Sequence, residues 1–334
     1  MIRSAPLSDQ PLRWGILGCG RVAHLVAEDL RLLPDHRLQA VASRTPGKAA
    51  AFAHHHGVVV ALDRYEDLVV RDDIDAVYIA TTHERHAPAA DLALRHGKPV
   101  LCEKPLTLNA DQARHLDALA RERGVFLMEA MWTRFFPALE ALLADCAAGV
   151  IGPVRTVQAD FGVCHAWPPD HRMVDPARGG GALLDLGVYP IAFAQLVFGQ
   201  PPEAIHGIMR PTDRGVDAQS SVVLGYPGGG QALIASALDV RLPYQARVFG
   251  PGGTIIVEDF FRPVAYTVHT VDGTPRRTGH RFAGRGYQFE LAEVAACLRA
   301  GRTESLRWPR SASIAVLEVM DTLRRAWGVR YPDE

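Results

Sequence analysis

The first part of the chain alternates short apolar runs with longer stretches in which apolar residues recur every three or four positions. A short apolar run is typical of a buried strand, and the longer period is typical of an amphipathic helix. From Leu12 to about Met128 this alternation predicts a parallel sheet with crossover helices. The predicted strands are Leu12–Leu17, Leu38–Ala42, Val58–Val60, Ala76–Ala80, Val100–Cys102 and Phe126–Met128.

The pattern changes after Phe136. One helical segment, Ala138–Ala148, leads through Gly152 and Pro153 into strand-like runs that follow one another at hairpin spacing, which predicts a mainly antiparallel sheet. The predicted strands are Ser221–Tyr226, Gln231–Leu238, Gln245–Phe249, Thr254–Val257 and Val264–Thr270, and the predicted closing helices are Gly286–Arg299 and Ser311–Trp327.

The predicted fold class is therefore α/β with two domains. Residues 1–130 form a Rossmann domain, which is a doubly wound parallel sheet with its ligand crevice at the carboxyl ends of the strands. Residues 131–334 form a second α/β domain around a large, mainly antiparallel sheet with one open face. A length of 334 residues with 48% hydrophobic residues is enough for two cores.

The charge balance narrows the classes of partner. With 36 Lys+Arg against 37 Asp+Glu, no long-range attraction to nucleic acid or to an anionic membrane is built in. Met1–Gln10 has no apolar core of signal-peptide length, and the later apolar runs are interrupted by charge, Gly or Pro. We expect a cytoplasmic protein with no nucleic-acid or membrane partner.

The run His54–His56 resembles a metal-binding cluster, but its spacing is unfavourable. Adjacent residues point to different sides of a helix, so three successive imidazoles cannot easily face one ion. The run predicts a solvated helix end, and no metal site is expected. The cysteines are scattered without a Cys-x-x-Cys pair, so free thiols are expected.

The first motif with chemical meaning is Gly15–Ala23, which places Gly-x-Gly-x-x-Ala between the first strand and a helix. Gly18 permits a tight turn, Gly20 lets the backbone approach a pyrophosphate, and Ala23 allows close packing of helix on strand. The helix N-terminus adds N–H donors and a positive dipole. The same small residues occur in ordinary strand–helix turns, but the flanking elements favour dinucleotide binding.

The end of the second strand indicates which dinucleotide binds. An Asp or Glu about 20 residues after the glycines would bind the ribose 2′-hydroxyl of NAD. This chain instead has Ser43 and Arg44, with Lys48 one helical turn later, so a hydroxyl and two cations stand where a 2′-phosphate would lie. NADP(H) is therefore favoured over NAD(H), unless the two cations are only solvated surface charges.

Two further motifs carry candidate catalytic groups. Another strand ends in Glu103-Lys104-Pro105, which places a charged pair where the nicotinamide should lie. Farther on, a run of three glycines at 179–181 enters a helix in which Asp185 and Tyr189 share one face at i and i+4. On these residues alone, a packing tyrosine behind a capping glycine loop is an equally good interpretation.

Taken together, the residues resemble the Gfo/Idh/MocA oxidoreductases over essentially the whole chain and in the same order. The string Phe126–Pro137 (FLMEAMWTRFFP) is similar to the signature of the dimeric dihydrodiol dehydrogenase branch, which includes NADP-linked D-xylose 1-dehydrogenases. Many members of the family carry His at the position of Tyr189, and the tyrosine is again similar to that branch. The segment Cys164–Arg178 departs from the family pattern, which leaves the substrate open.

The resemblance implies a dehydrogenase that transfers hydride between NADP(H) and the CH–OH group of a trans-dihydrodiol, an aldose or a related polyol. It implies Lys104 and Tyr189 as the catalytic pair with Asp185 nearby, and a homodimer through the open sheet. The implied cofactor-binding residues are Gly18, Gly20, Arg21, Val22, Ser43, Arg44, Lys48, Thr81, His83, Glu103, Lys104 and Trp132. The implied substrate pocket is lined by Trp132, Phe161, Leu186 and Phe261.

The chemistry agrees with this assignment. Oxidation of an alcohol needs a base for the hydroxyl proton and a nicotinamide to accept the hydride. One alternative is an inositol dehydrogenase or another sugar oxidoreductase of the same family. A second alternative is a catalytically inactive NADP-binding regulatory protein on the same fold, against which the presence of both Lys104 and Tyr189 counts.

Overall fold

The structure is a computed structural model that describes residues 10–332. Two compact units are present. Unit 1 comprises residues 10–107, 111–132 and 282–314, and unit 2 comprises residues 108–110, 133–281 and 315–332. The expectation about Met1–Gln10 concerns residues 1–9, which lie outside the described residues.

In the described residues, unit 1 is built on a parallel sheet of six strands. The strands are β1 (Leu12–Leu17), β2 (His36–Ala42), β3 (Val60–Leu62), β4 (Ala76–Ile79), β5 (Val100–Glu103) and β6 (Leu127–Ala130). Their order is β3-β2-β1-β4-β5-β6, which is that of a doubly wound Rossmann sheet. The order reverses between β1 and β4, so the ligand crevice is expected outside their carboxyl ends. The predicted fold class of this part is confirmed.

The helices of unit 1 follow the strands along the chain. They are α1 (Arg21–Leu30), α2 (Lys48–His56), α3 (Tyr65–Val69), α4 (His86–Arg95), α5 (Ala110–Arg123) and α8 (Tyr287–Arg299). Strands of such a sheet are apolar along their whole length because helices cover it. Ile16, Tyr78 and Leu101 accordingly have no exposed surface.

One prediction about the helices is wrong in part. The end of α2 was expected to be solvated, and His54 and His55 are exposed, but His56 is only 8% exposed. The reason is that α2 packs on α1. The ring of His56 lies 4.9 Å from that of His24 and 4.4 Å from that of Phe52, measured between centroids.

Residues 282–314 belong to unit 1 although they follow the whole of the antiparallel sheet. The buried carboxylate of Asp29 in α1 accepts hydrogen bonds of 2.9 Å from the backbone N–H groups of Arg285, Gly286 and Tyr287, at the start of α8. These bonds fix the returning segment on unit 1. The domain boundary predicted between residues 130 and 131 rests on a local change of pattern. It therefore does not show that residues 282–314 return to unit 1, because the contacts that hold them there join residues far apart in the chain.

In the described residues, unit 2 contains a sheet of eight strands in the order β14-β13-β12-β11-β7-β10-β9-β8. The strands are β7 (Thr156–Gly162), β8 (Ala204–Pro211), β9 (Asp217–Tyr226), β10 (Gly230–Ala237), β11 (Ala246–Gly250), β12 (Gly253–Val257), β13 (Ala265–Thr270) and β14 (Arg276–Gly279). Neighbours pair antiparallel except β7 with β10. The predicted mainly antiparallel sheet is confirmed. β7, β8 and β14 were not predicted, and β14 is a short, mostly exposed edge strand without an apolar pattern.

The helices of unit 2 are α6 (Pro137–Ala147), α7 (Val188–Phe198) and most of α9 (Arg310–Trp327). Among the described residues, the segment Pro176–Phe198 is long and apolar enough to cross a membrane by length and composition, but 83% of its most apolar window is buried inside the protein. An apolar core helix meets the same criteria. Its helix α7 packs on β7 and β10 and supplies the core of this unit.

Candidate active site

The glycine loop after β1 is held tightly between neighbouring strand ends. The Gly18 N–H donates to the Ala42 carbonyl at 2.9 Å, and the Ala80 N–H donates to the Leu17 carbonyl at 2.8 Å. Gly18 has φ +99°, and a Cβ on it would lie 2.5 Å from the Ala80 carbonyl oxygen, so only glycine fits. Gly20 then caps α1 without a side chain. The helix N-terminus is therefore open for an anion, as the dinucleotide motif requires.

The loop after β2 adjoins this turn and is rich in cations. The Ser43 hydroxyl accepts the Thr45 N–H at 3.2 Å, and the exposed Arg44 guanidinium lies 5.0 Å from the centroid of the Tyr65 ring. Burial raises the pKa of Cys19 in the glycine loop to about 11, opposed by its hydrogen bond with Ser43 and by the charge of Lys48. The Ser43 hydroxyl and the cations of Arg44 and Lys48 thus fit the phosphates of a dinucleotide.

The loops after β4 and β5 are joined by a histidine that the sequence analysis missed. His86 Nδ1 lies 2.8 Å from the Pro105 carbonyl, and Nε2 lies 3.3 Å from the Thr81 carbonyl. Burial lowers the pKa of His86 to about 3, so the ring is neutral at pH 7. His83, a predicted cofactor residue, lies one turn earlier, with its ring 5.7 Å from that of His86.

Glu103 and Lys104 stand at the carboxyl end of β5. The Tyr78 hydroxyl donates to Glu103 Oε1, and the Lys104 backbone N–H donates to Glu103 Oε2 at 3.2 Å. Burial raises the pKa of Tyr78 well above its ordinary value, so this phenol remains a donor. The buried Glu103 is thereby held in place, and it fixes the backbone at Lys104.

A second buried glutamate, Glu129, which was not singled out from the sequence, binds the backbone two residues after Lys104. Glu129 accepts the Leu106 N–H at 2.8 Å and the Trp308 Nε1–H at 2.9 Å. Burial raises its pKa. Glu129 lies within the string Phe126–Pro137, which was the available signal. Trp132, from the same string, stacks on Tyr287 with ring centroids 4.4 Å apart.

Unit 2 gathers three of the predicted site residues into one aromatic cluster. The ring of Phe161 lies 5.4 Å from that of Tyr189 and 4.6 Å from that of Phe261, and the rings of Tyr189 and Phe261 are 6.1 Å apart. Leu186 precedes Tyr189 by three residues and is 6% exposed. Tyr244 belongs to the same cluster, with its ring 5.2 Å from that of Phe161 and 5.9 Å from that of Phe261, so the cluster places two phenols beside apolar rings.

Asp185 lies in a π-helical turn, Leu183–Gly187, directly before α7. This differs from the regular helix that the glycine run predicted, and π-turns occur frequently at functional sites. Asp185 Oδ1 lies 3.2 Å from an Arg172 guanidinium nitrogen. Arg172 belongs to the segment that departs from the family pattern, and the sequence analysis did not single it out.

The π-helical turn is anchored by a buried carboxylate, Asp217, which was also missed. Its Oδ2 accepts the Leu183 N–H at 2.6 Å, and burial raises its pKa to about 7. A Cβ on Gly181, whose φ is +114°, would lie 2.3 Å from Asp217 Oδ1. The absence of a side chain at Gly181 therefore lets the Asp217 carboxylate lie close to the backbone of the glycine run.

The predicted site residues divide between the units. Those of unit 1 follow the carboxyl ends of β1, β2, β4, β5 and β6, and they are Gly18, Gly20, Arg21, Val22, Ser43, Arg44, Lys48, Thr81, His83, Glu103, Lys104 and Trp132. Those of unit 2 are Phe161, Asp185, Leu186, Tyr189 and Phe261.

Comparison with known families agrees with this geometry. A family model for oxidoreductases with an NAD-binding Rossmann fold, GFO/IDH/MocA, matches residues 12–131, and the model of a GFO/IDH/MocA C-terminal domain matches residues 141–256. The chain belongs to the Gfo/Idh/MocA family of oxidoreductases, as the motifs predicted. It is thus an oxidoreductase with an NAD(P)-binding Rossmann domain.

Individual relatives point to one branch of the family. The chain is 38% identical to the trans-1,2-dihydrobenzene-1,2-diol dehydrogenase of Bos taurus and 37% identical to that of Homo sapiens, in each case over 97% of this chain and 99% of the relative. A solved aldose-aldose oxidoreductase from Caulobacter crescentus, complexed with glycerol, matches with a TM-score of 0.88 at 25% identity over 96% and 98% of the two chains. A 3-ketoreductase from Actinomadura kijaniata, in complex with NADP and TDP-benzene, matches with a TM-score of 0.84 at 29% identity over 95% and 98%.

Proposed function

We propose that this oxidoreductase is an NADP(H)-dependent dehydrogenase of the cytoplasm that acts on the CH–OH group of a trans-dihydrodiol, an aldose or a related polyol. The observation that carries the proposal is the packing of the Tyr189 phenol against Phe161 and Phe261. Such a cluster combines a proton-transferring hydroxyl with an apolar surface for a ring. The names of the relatives, which include dihydrodiol and aldose oxidoreductases, support the same substrate class.

The preference for NADP(H) rests on the loop after β2. Arg44 and Lys48 supply two cations and Ser43 a hydroxyl, whereas NAD binding would use a carboxylate there. The guanidinium of Arg44 is planar and can bind a phosphate through two parallel hydrogen bonds. When bound, the nicotinamide supplies the hydride acceptor or donor.

The roles of the remaining groups follow from their chemistry. We assign to Tyr189 the transfer of the substrate hydroxyl proton and to Lys104 the positive charge that stabilises the alkoxide and the phenolate. Glu103 and Glu129 hold the backbone on either side of Lys104. Asp185, paired with Arg172, orients the turn that precedes Tyr189.

The substrate pocket is assigned to Trp132, Phe161, Leu186 and Phe261. Trp132, Phe161 and Leu186 are less than 9% exposed. The aromatic rings of the set offer flat apolar surfaces for a cyclic diol or for the carbon face of a sugar.

We also propose a homodimer through the open face of the sheet in unit 2. Three exposed apolar residues lie on the adjacent strands β8, β9 and β10: Ile208 is 74% exposed, Val223 44% and Leu233 41%. Val223 and Leu233 are direct cross-strand partners. An apolar patch on a sheet face is typical of a self-complementary interface with two-fold symmetry.

The experiment that tests the proposed function is a screen for NADPH formation from NADP+ with aldoses, inositols and cyclic trans-diols. Turnover of a dihydrodiol or of xylose supports the proposal. Turnover that is fastest with inositol favours the alternative of an inositol dehydrogenase. Tight binding of NADP+ without turnover of any polyol favours the inactive regulatory protein.

A further inference from the structure

Three histidines of unit 1 come together between α1 and α2. His24 Nδ1 lies 2.7 Å from His56 Nε2, and one ring nitrogen each of His24, His55 and His56 lies within 4.8 Å of the other two. His54 is outside this group. Three successive histidines of α2 cannot easily face one ion, but His24 from the neighbouring helix takes the place of His54 in this group.

Packing holds two of the three rings in place. The Phe52 ring lies 4.5 Å from the ring of His24 and 4.4 Å from that of His56, measured between centroids. His56 is only 8% exposed, and among the described residues its Nδ1 has no hydrogen-bond partner. The third ring, His55, is exposed and therefore free to adjust.

We propose that His24, His55 and His56 form a binding site for a divalent transition-metal ion of the Zn²⁺ type. Imidazole nitrogen is a preferred ligand of Zn²⁺, Ni²⁺ and Cu²⁺. Bonds of about 2.0–2.1 Å place two nitrogens on one tetrahedral ion about 3.4 Å apart. The 2.7 Å separation of His24 Nδ1 and His56 Nε2 widens by about 0.7 Å to reach that spacing. Rotation of the exposed His55 ring adjusts the third nitrogen, and water can fill the remaining position.

Ion binding replaces the hydrogen bond between His24 and His56 without net release of a proton. One of these two nitrogens carries the hydrogen of the present bond, and that hydrogen moves through solvent to the other nitrogen of the same ring when the ion binds, which leaves a lone pair on both facing nitrogens.

The site lies outside the proposed chemistry of the enzyme, and its consequence is mechanical. An ion held by residues of α1 and α2 ties together the two helices that begin at the phosphate-binding loops. Because the ion binds the folded chain, it raises the midpoint of thermal unfolding.

The test uses the full chain without a histidine tag, freed of metal with a chelator, and titrated with ZnCl₂ by calorimetry. We expect one ion per chain. His24→Gln and His55→Gln should each weaken binding at least about tenfold, since each removes a ligand. His54→Gln, the adjacent exposed histidine, is the matched control and should bind as the unchanged chain does. The rise in melting temperature with ZnCl₂ should disappear in the same two variants.

Circular dichroism of the metal-free variants verifies their folding, and His55→Gln is expected to fold normally because His55 is exposed. Failure of the unchanged chain to bind one ion at micromolar ZnCl₂ would overturn the proposal. Equal affinity of His54→Gln, His24→Gln and His55→Gln would do the same. CoCl₂ gives an independent readout, since a tetrahedral site produces intense visible absorption that both ligand variants should lose.

Discussion

The ring of Tyr189 packs against that of Phe161 with centroids 5.4 Å apart and an angle of 45° between the ring planes. Tyr189 is the second residue of α7, and Phe161 lies on β7, so regular elements position both. A group held by a helix and a strand is placed more accurately than one on a loop. This relationship fixes the ring of Tyr189, whose hydroxyl is proposed to transfer the proton.

The first prediction concerns the cofactor. Arg44→Ala should weaken NADP+ binding by about 1.5–3 kcal/mol, the contribution of a charged hydrogen bond, while NAD+ binding changes little. Dissociation constants for both cofactors, measured by fluorescence titration, check this. The matched control is Arg64→Ala, which removes an exposed arginine of the same unit. Equal losses for NADP+ and NAD+ would show that Arg44 does not act on the 2′-phosphate.

The second prediction concerns assembly. Light scattering should give a particle of about twice the chain mass at micromolar concentration. Val223→Glu places a charge in the centre of the apolar face and should produce monomers, because burying an unpaired charge is costly. Val271→Glu is the control, since Val271 is 72% exposed in the turn before β14. A monodisperse monomer of the unchanged chain would rule out the dimer.

The third prediction is a pH dependence of stability caused by Asp217. Its pKa is about 7 in the folded chain and near 3.8 when unfolded. Below pH 3.8 both states are protonated. Between about pH 4 and 7 the unfolded state loses its proton first, so the free energy of unfolding falls by ~1.4 kcal/mol per pH unit from this group.

The variant Asp217→Asn lacks this contribution. The free energy of unfolding of the variant minus that of the unchanged chain should therefore increase between pH 4 and 7 and stay constant above pH 7. Urea unfolding at several pH values measures the difference, and Asp213→Asn, an exposed residue nearby in the chain, is the control. A difference that does not depend on pH would mean that Asp217 is ionised in the folded chain.

The sequence predicts those parts of the fold and of the site that depend on residues near one another in the chain, and it does not predict those that depend on contacts between distant segments. β1 was predicted with its observed bounds because the apolar run is local. The return of residues 282–314 to unit 1 depends on the three hydrogen bonds of Asp29, which leave no periodic signal. The pairs Asp185 with Arg172 and His24 with His56 likewise join separate segments. The sequence indicated the types of residue in the site but not these partners.

The fourth prediction concerns Lys104. Lys104→Ala should lower kcat by at least about 10²-fold, and the double variant with Tyr189→Phe should be little worse than either single one, because residues that act as a unit are not additive. Lys48→Ala removes a cation from the proposed phosphate site and is the control. It should weaken NADP+ binding with little effect on kcat at saturating cofactor. Independent, multiplicative effects of Lys104 and Tyr189 would argue against a shared step.

The measurement that tests the central claim most directly is the turnover of Tyr189→Phe at saturating NADP+ and with the best polyol substrate. The substitution keeps the ring that packs on Phe161 and removes only the hydroxyl. If that hydroxyl transfers the proton, kcat falls by about 10²–10⁴ while NADP+ affinity and melting temperature stay nearly unchanged. Near-normal turnover by the folded variant would contradict the assignment and would point instead to Lys104, or to a histidine such as His165 or His171, as the proton-transfer group.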